Sequence, residues 1–173
     1  LVREAALRVG KVVAIMADLQ GPKIRVGKFA EGKVMLEPGQ PFVLDASRTE
    51  LGDLQGVGLD YKELPRDVKP GDTLLLNDGL IVLTVEAVKG EAVHTVVKLG
   101  GELSNNKGIN KQGGGLTAPA LTAKDMDDIK TAASFQCDYI AVSFPKSATD
   151  MEMARQLCNV AGEPWKHRPA LIA

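Results

Sequence analysis

The sequence holds few of the side chains that build zinc sites and disulfide frameworks: two cysteines and two histidines in 173 residues. Cys137 and Cys158 form no Cys-x-x-Cys pair and have no histidine at ligand spacing, which argues against both kinds of site. His94 and His167 lie far apart in the chain, so nothing supports a Ser-His-Asp arrangement. An excess of one charge is also lacking. The 21 Lys and Arg against 22 Asp and Glu leave a formal charge of −1. A broad nucleic-acid surface needs clustered positive charge, so only a local basic site stays open. No apolar run approaches the ~18 residues of a membrane span. With 45% hydrophobic and 25% charged residues, the composition is neither disordered nor collagen-like. The chain opens Leu1-Val2-Arg3-Glu4, with neither an initiator Met nor a basic-then-apolar leader. The expectation is a piece of a longer cytoplasmic protein, with reduced, structural thiols.

The length suits one domain, yet the chain divides into three stretches of different character. In the first, residues 1–25, Leu1 to Val9 reads as the end of a helix closed by Gly10. Val12 to Met16 reads as a strand buried on both faces. The middle stretch, residues 26–117, is dense in turns and in short runs of Val, Leu, Ile and Thr, and it has no helical period. Leu74–Leu76 and Leu80–Val85 flank Asn77-Asp78-Gly79, which predicts a β-hairpin with a three-residue loop. Turn signals at this spacing predict a small barrel or sandwich. In the last stretch, residues 118–173, Thr122 and Asp125 form a capping-box pattern ahead of a helix. Tyr139–Val142 reads as a second buried strand and is followed by another helix, with Ala154, Leu157, Cys158 and Ala161 on one face. Ala170–Ala173 begins a third strand. The outer stretches thus read as βα units of a parallel sheet with a β-rich domain inserted between them. At about 80 residues together, they are too few for a closed eight-stranded barrel of typically ~250.

Several loops could carry chemistry. Asp18-Leu19-Gln20-Gly21-Pro22-Lys23-Ile24-Arg25 puts a carboxylate at the C-terminal edge of a strand, where α/β sites gather, and two cations after it. An ordinary charged loop is the competing reading. Lys107, among small polar residues and next to Gly108, could place an ammonium near a phosphate; taken alone, the segment is better explained as a plain polar loop. Gly113-Gly114-Gly115 lacks the Gly-Lys-Ser/Thr ending of a phosphate-binding loop and reads better as a hinge. Asp78 sits at a hairpin tip, a position that Asp commonly takes for turn geometry. Ser143 and Lys146, at the edge of the second strand, could line the same mouth as Asp18. Trp165 reads as packing or surface.

Taken in order, Asp-Leu-Gln-Gly-Pro-Lys-Ile-Arg, Asn-Asp-Gly-Leu-Ile, Asn-Lys-Gly-Ile-Asn, Leu-Thr-Ala-Lys-Asp and Tyr-Ile-Ala-Val-Ser-Phe-Pro resemble the pyruvate kinase family. The likeness is to a bacterial type with Ser-Asn-Asn-Lys-Gly-Ile-Asn-Lys at Ser104–Lys111, and it covers essentially the whole chain. It implies an α/β fold, with partial (β/α)8 barrel segments flanking an inserted small all-β barrel domain that acts as a mobile lid. It also implies transfer of the phosphoryl group of phosphoenolpyruvate to ADP, giving pyruvate and ATP, with Mg2+ as cofactor. The parent would be a cytoplasmic homotetramer with a C-terminal regulatory domain, and would bind neither nucleic acid nor membrane.

By the same resemblance, Arg25 matches the catalytic arginine that reaches the nucleotide and the transferred phosphate. Lys107 matches the lid lysine on the nucleotide side. Asp78 matches a lid aspartate that approaches the metal-nucleotide on closure, and Asp18 the aspartate of the monovalent-cation site. Potassium-dependent members usually read Asp-Thr-Lys-Gly-Pro-Glu-Ile-Arg in the first motif. Here Leu19 replaces the Thr and offers no oxygen to a cation, Gln20 replaces the Lys, and Lys23 replaces the Glu with a fixed positive charge. The expectation is that K+ is not required. The family's catalytic Lys and Mg2+-binding Glu fall in a Lys-x-Glu motif just beyond a strand like Ala170–Ala173, so the Mg2+ ligands are absent from this chain and the fragment alone is expected to be inactive. A β-rich nucleotide-binding module without catalysis is the alternative, and a different barrel enzyme acting on phosphorylated substrates is a third.

Overall fold

Along the chain the elements run α1 (Val2–Arg8), β1 (Met16–Leu19), β2 (Lys33–Leu36), β3 (Pro41–Asp45), β4 (Gly56–Gly58) and α2 (Leu64–Asp67). They continue through β5 (Thr73–Leu76), β6 (Ile81–Lys89), β7 (Ala92–Leu99), β8 (Gly101–Ser104), β9 (Ile109–Lys111), α3 (Ala123–Ser134), β10 (Tyr139–Val142), α4 (Ala148–Gly162) and β11 (Ala170–Ile172). The structure is a computed structural model and describes residues 1–173. The elements form two compact units, Leu1–Pro22 with Pro119–Ala173, and Lys23–Ala118. No helix is long and apolar enough to cross a membrane.

The first unit is α/β. Its three strands are parallel in the order β1-β10-β11, with Asp18 opposite Ala141 and Ile140 opposite Leu171. Both long helices start on capping boxes. Thr122 serves α3 with Asp125, and Ser147 serves α4 with Asp150; in each, the side chains satisfy amides that have no intrahelical partner. The 3.6-residue period then turns Ile129 and Ala132 of α3, and Ala154 and Cys158 of α4, into one core with Leu19, Ile140 and Val142.

The apolar run at Val12–Met16 behaves differently from the buried strand expected of it. Pairing begins only at Met16, and Val12 is fully exposed. β1 lies at an edge of the sheet, with β10 on one side only, and just ahead of it Ile15 still bonds across, its carbonyl accepting the Asp138 and Tyr139 N–H groups. The strand's one fully buried side chain is Leu19.

The second unit is almost wholly β. The order β4-β3-β7-β6-β5-β9 makes a six-stranded sheet, and β2 pairs with β8. Successive side chains alternate inward and outward, as in the buried-intermediate alternation of β6 from Ile81 to Val85. The inward set, with Phe42, Leu44, Leu74, Leu76, Leu83 and Ile109, is the core. The four-residue α2 is the only helix in this unit. The β5–β6 connection differs from the three-residue loop expected. Leu76 pairs with Ile81, so Leu80 belongs to the loop and is exposed.

The edges of the six-stranded sheet do not stay open. Ile109 of β9 donates its N–H to the Ile24 carbonyl at 2.8 Å, and Gly27 donates its N–H to the carbonyl of Gly58 in β4 at 2.8 Å. Isolated antiparallel bridges pair Arg25 with Gly108 and Val26 with Leu59. One short extended segment therefore joins both edge strands and closes the sheet on itself, which removes its pairing edges.

Candidate functional site

That closing segment decides where the candidate cations fall. Ile24 and Val26 are buried while Arg25 is exposed, because alternate residues of an extended chain point to opposite faces. The facing segment runs antiparallel: the Val26 N–H donates to the Lys107 carbonyl at 2.9 Å, and Arg25 bridges Gly108. Arg25 and Lys107, distant in sequence, thus lie on adjoining backbones of one seam. The hairpin tip that carries Asp78 meets the same seam, through the Asn77 N–H to the Gly108 carbonyl at 3.2 Å. Asn77, Asp78 and Gly79 all have positive φ (49°, 57° and 87°), a run tolerated by Asn, Asp and Gly. Lys23, exposed, precedes the seam by one residue. None of the ion pairs in the molecule engages Lys23, Arg25 or Lys107.

At the seam's end of the chain a second network ties down the residues that follow β9. The Tyr61 hydroxyl donates to Asp67 Oδ2 at 2.5 Å, and the Thr117 N–H donates to the same oxygen at 2.8 Å. Lys111 Nζ donates to the Asp67 carbonyl at 2.9 Å and pairs with Asp72 at 3.1 Å. Burial pushes the Asp67 carboxyl upward, but the hydrogen bonds from Tyr61 and Thr117 and the Lys111 charge outweigh it and hold the group below the usual carboxylate range. Burial, with the Asp67 partner next, raises the Tyr61 phenol and keeps it a donor.

In the α/β unit, Asp18 lies at the C-terminal end of β1. The Ser143 hydroxyl, just past β10, donates to Asp18 Oδ1 (2.9 Å) and approaches the Leu19 carbonyl (2.5 Å). The sequence reading of Asp18 and Ser143 as neighbours is met. The Lys146 backbone N–H donates to Asp150 Oδ2 at 2.9 Å, and Trp165 is a half-exposed surface residue.

One residue escaped the functional reading. Asp125, read only as a cap, is fully buried and accepts the Gly21 N–H at 3.0 Å on Oδ1, while Oδ2 accepts from Thr122. It therefore fixes the turn that follows Asp18. Gly21 is required there: its φ is +66°, and a Cβ would stand 2.5 Å from the Phe144 ring. The capping pattern was the only local signal, because the Gly21 contact spans 104 residues.

As for metals, no three His, Cys, Asp or Glu side chains converge in this chain.

Known proteins share this sequence and this fold. A model of the pyruvate kinase barrel domain matches residues 1–167. The chain is 57% identical to pyruvate kinase II of Salmonella typhimurium over 162 residues, which are 93% of this chain and 34% of that protein. It is 56% identical to a pyruvate kinase of Haemophilus influenzae over the same length and the same shares. Among solved structures, a pyruvate kinase of Cryptosporidium parvum superposes with a TM-score of 0.84 at 28% identity, covering 98% of this chain and 35% of that one. The chain thus spans about a third of the length of the curated relatives it matches. Its α/β unit supplies partial barrel segments and its all-β unit the inserted small barrel, and the chain belongs to the pyruvate kinase family.

Proposed function

We propose that this chain is the nucleotide-side section of a pyruvate kinase, an enzyme that moves the phosphoryl group of phosphoenolpyruvate to ADP and gives pyruvate and ATP. The observation that carries the reading is the seam, where Arg25 and Lys107 lie on backbones joined by the Arg25–Gly108 bridge and neither side chain is spent in an ion pair. A phosphoryl group in transfer spreads negative charge over its oxygens, and fixed cations stabilise that charge without having to reorganise. Arg25 meets the nucleotide and the transferred group in this reading, and Lys107 the nucleotide. Asp78, held at the tip beside the seam, meets the metal-nucleotide. Closure of the all-β lid excludes water, which would otherwise accept the phosphoryl group. Mg2+, when bound with the nucleotide, would supply charge neutralisation on the phosphates.

Asp18, with Ser143 donating to it, is the anionic side of the monovalent-cation position. Lys23 supplies a fixed ammonium in place of K+. The parent is a cytoplasmic homotetramer in this reading, and the 173 residues alone give no turnover.

The test uses the chain extended to the full length of its relatives, with phosphoenolpyruvate, ADP and Mg2+ in buffer free of K+. Strong pyruvate formation is expected, with Lys107→Ala raising the KM for ADP. Activity that appears only when K+ is added removes the role of Lys23 and keeps the reaction. A folded full-length protein with no activity in either buffer refutes the proposal.

A further inference from the structure

The seam has one side-chain member. Backbone hydrogen bonds zip segment 24–32 to segment 105–109: Ile109 N–H to the Ile24 carbonyl (2.8 Å), Val26 N–H to the Lys107 carbonyl (2.9 Å), Asn106 N–H to the Gly27 carbonyl (3.1 Å) and Asn105 N–H to the Gly32 carbonyl (3.2 Å). At Phe29 the backbone runs out of partners. On one side of that segment, Ala30 N–H donates to the Gly52 carbonyl and Gly52 N–H donates to the Lys28 carbonyl. The Phe29 N–H faces the other way. There the facing chain turns aside, with Asn106 in the left-handed region at φ 58°, and offers no carbonyl. Asn105 Oδ1 fills the gap and accepts the Phe29 N–H at 2.7 Å. The orientation of the carboxamide is settled by chemistry, since an N–H requires the oxygen rather than the NH2. The Phe29 ring beside this bond is 3% exposed, so the amide has little access to water as a substitute acceptor.

We propose that Asn105 is a positioning residue for nucleotide binding: its carboxamide clamps the turn that carries Lys107 against segment 24–32, and so holds Lys107 in place on the seam. This rests on the nucleotide-side reading of Lys107 above. Asn105 touches no substrate in this scheme. It acts through the turn, which it fastens at Asn105 on one side of Lys107 while Ile109 fastens the other. A preorganised cation binds phosphate without first paying to order a loop. Serine or alanine at this position leaves the Phe29 N–H without its acceptor, since neither reaches as far as the carboxamide oxygen.

The full-length enzyme tests this with Asn105→Ala, and with Lys107→Ala beside it. Steady-state kinetics give the KM for ADP and for phosphoenolpyruvate separately, and amide hydrogen exchange reads protection at Phe29. Asn105→Ala is expected to speed exchange at Phe29 and to raise the KM for ADP about fivefold, the effect of one lost hydrogen bond, with the KM for phosphoenolpyruvate unchanged. Unchanged exchange at Phe29, an unchanged KM for ADP, or an equal rise in both KM values overturns the proposal. If Lys107→Ala raises the KM for ADP and Asn105→Ala does not, only this inference fails. If Lys107→Ala leaves that KM unchanged, the nucleotide-side reading fails and takes this one with it. Should Asn105→Ala not fold, Asn105→Ser carries the same measurements with the same criteria.

Discussion

The two units use strands in opposite ways. In the all-β unit the 24–27 segment bridges both edge strands, so the sheet has no open side, and β5 and β6 alternate cleanly between core and surface. In the α/β unit, β1 and β11 have one neighbour each. Val12, Met16 and Ile172 are exposed there, and β11 buries no side chain fully. A closed sheet completes its own core, whereas an open parallel sheet depends on further layers and strands. The relatives are about three times longer than this chain, and the expectation is that their additional strands cover those edges. Stability should therefore be concentrated in Lys23–Ala118.

The sharpest way to break this contrast is Phe42→Ala. The ring is fully buried in the all-β core, and the Phe42 carbonyl accepts from the Thr95 hydroxyl at 2.7 Å. Its loss should cost about 3–5 kcal/mol, read by denaturant unfolding. Hydrogen exchange should locate the damage in β3, β6 and β7 and leave α4 protected; equal loss in both units would show one cooperative body instead of two.

In the α/β unit the largest single effect should come from Asp125→Ala, at about 2 kcal/mol, because it removes the α3 cap and frees the Gly21 amide together. Faster exchange at Gly21 checks the second half of that statement. A loss confined to α3 would show that the cap matters and the turn does not.

Acid should act on the all-β unit through Asp67. Its carboxyl is depressed in the folded chain, so the stability it contributes is present above the unfolded value of about 3.9 and disappears as pH falls through the folded value. Protection of the Thr117 amide, bonded to Asp67, should fade over that acid window in the native protein. In Asp67→Asn the acid step should vanish and the remaining stability should fall by about 1.5 kcal/mol. At the small end, Lys33→Ala breaks a 2.7 Å pair with Glu102 whose side chains are 61% and 50% exposed, and should change stability by less than about 0.5 kcal/mol. A larger cost would mean that the β2–β8 pair contributes more to the unit than its exposure implies.

What could be read from the residues follows the range of the interactions. The Thr122–Asp125 cap, the Tyr139–Val142 strand and the Ala170 strand were legible because local hydrogen bonds and local patterning specify them. Val12–Met16 misled, since an apolar run states that a strand is favourable and not which residues find a partner. Leu80 misled in the same way: register with Leu76 and Ile81 puts it in the loop, and only cross-strand pairing decides that. Asp18 beside Ser143 followed from two strand ends of a parallel sheet. The Asp125–Gly21 and Asn105–Phe29 bonds span 104 and 76 residues, and nothing near either residue in the sequence announces its partner.

The closing seam also bears on when the cations meet during folding. β5, β6 and β7 are sequential antiparallel strands joined by short turns, which form within microseconds. The Arg25–Gly108 bridge instead closes a loop on the order of eighty residues, and contacts of such separation carry a higher entropic barrier. Arg25 and Lys107 should reach adjoining backbones only as the barrel closes, so a chain that has finished its hairpins but not its seam would hold its strands without that pairing.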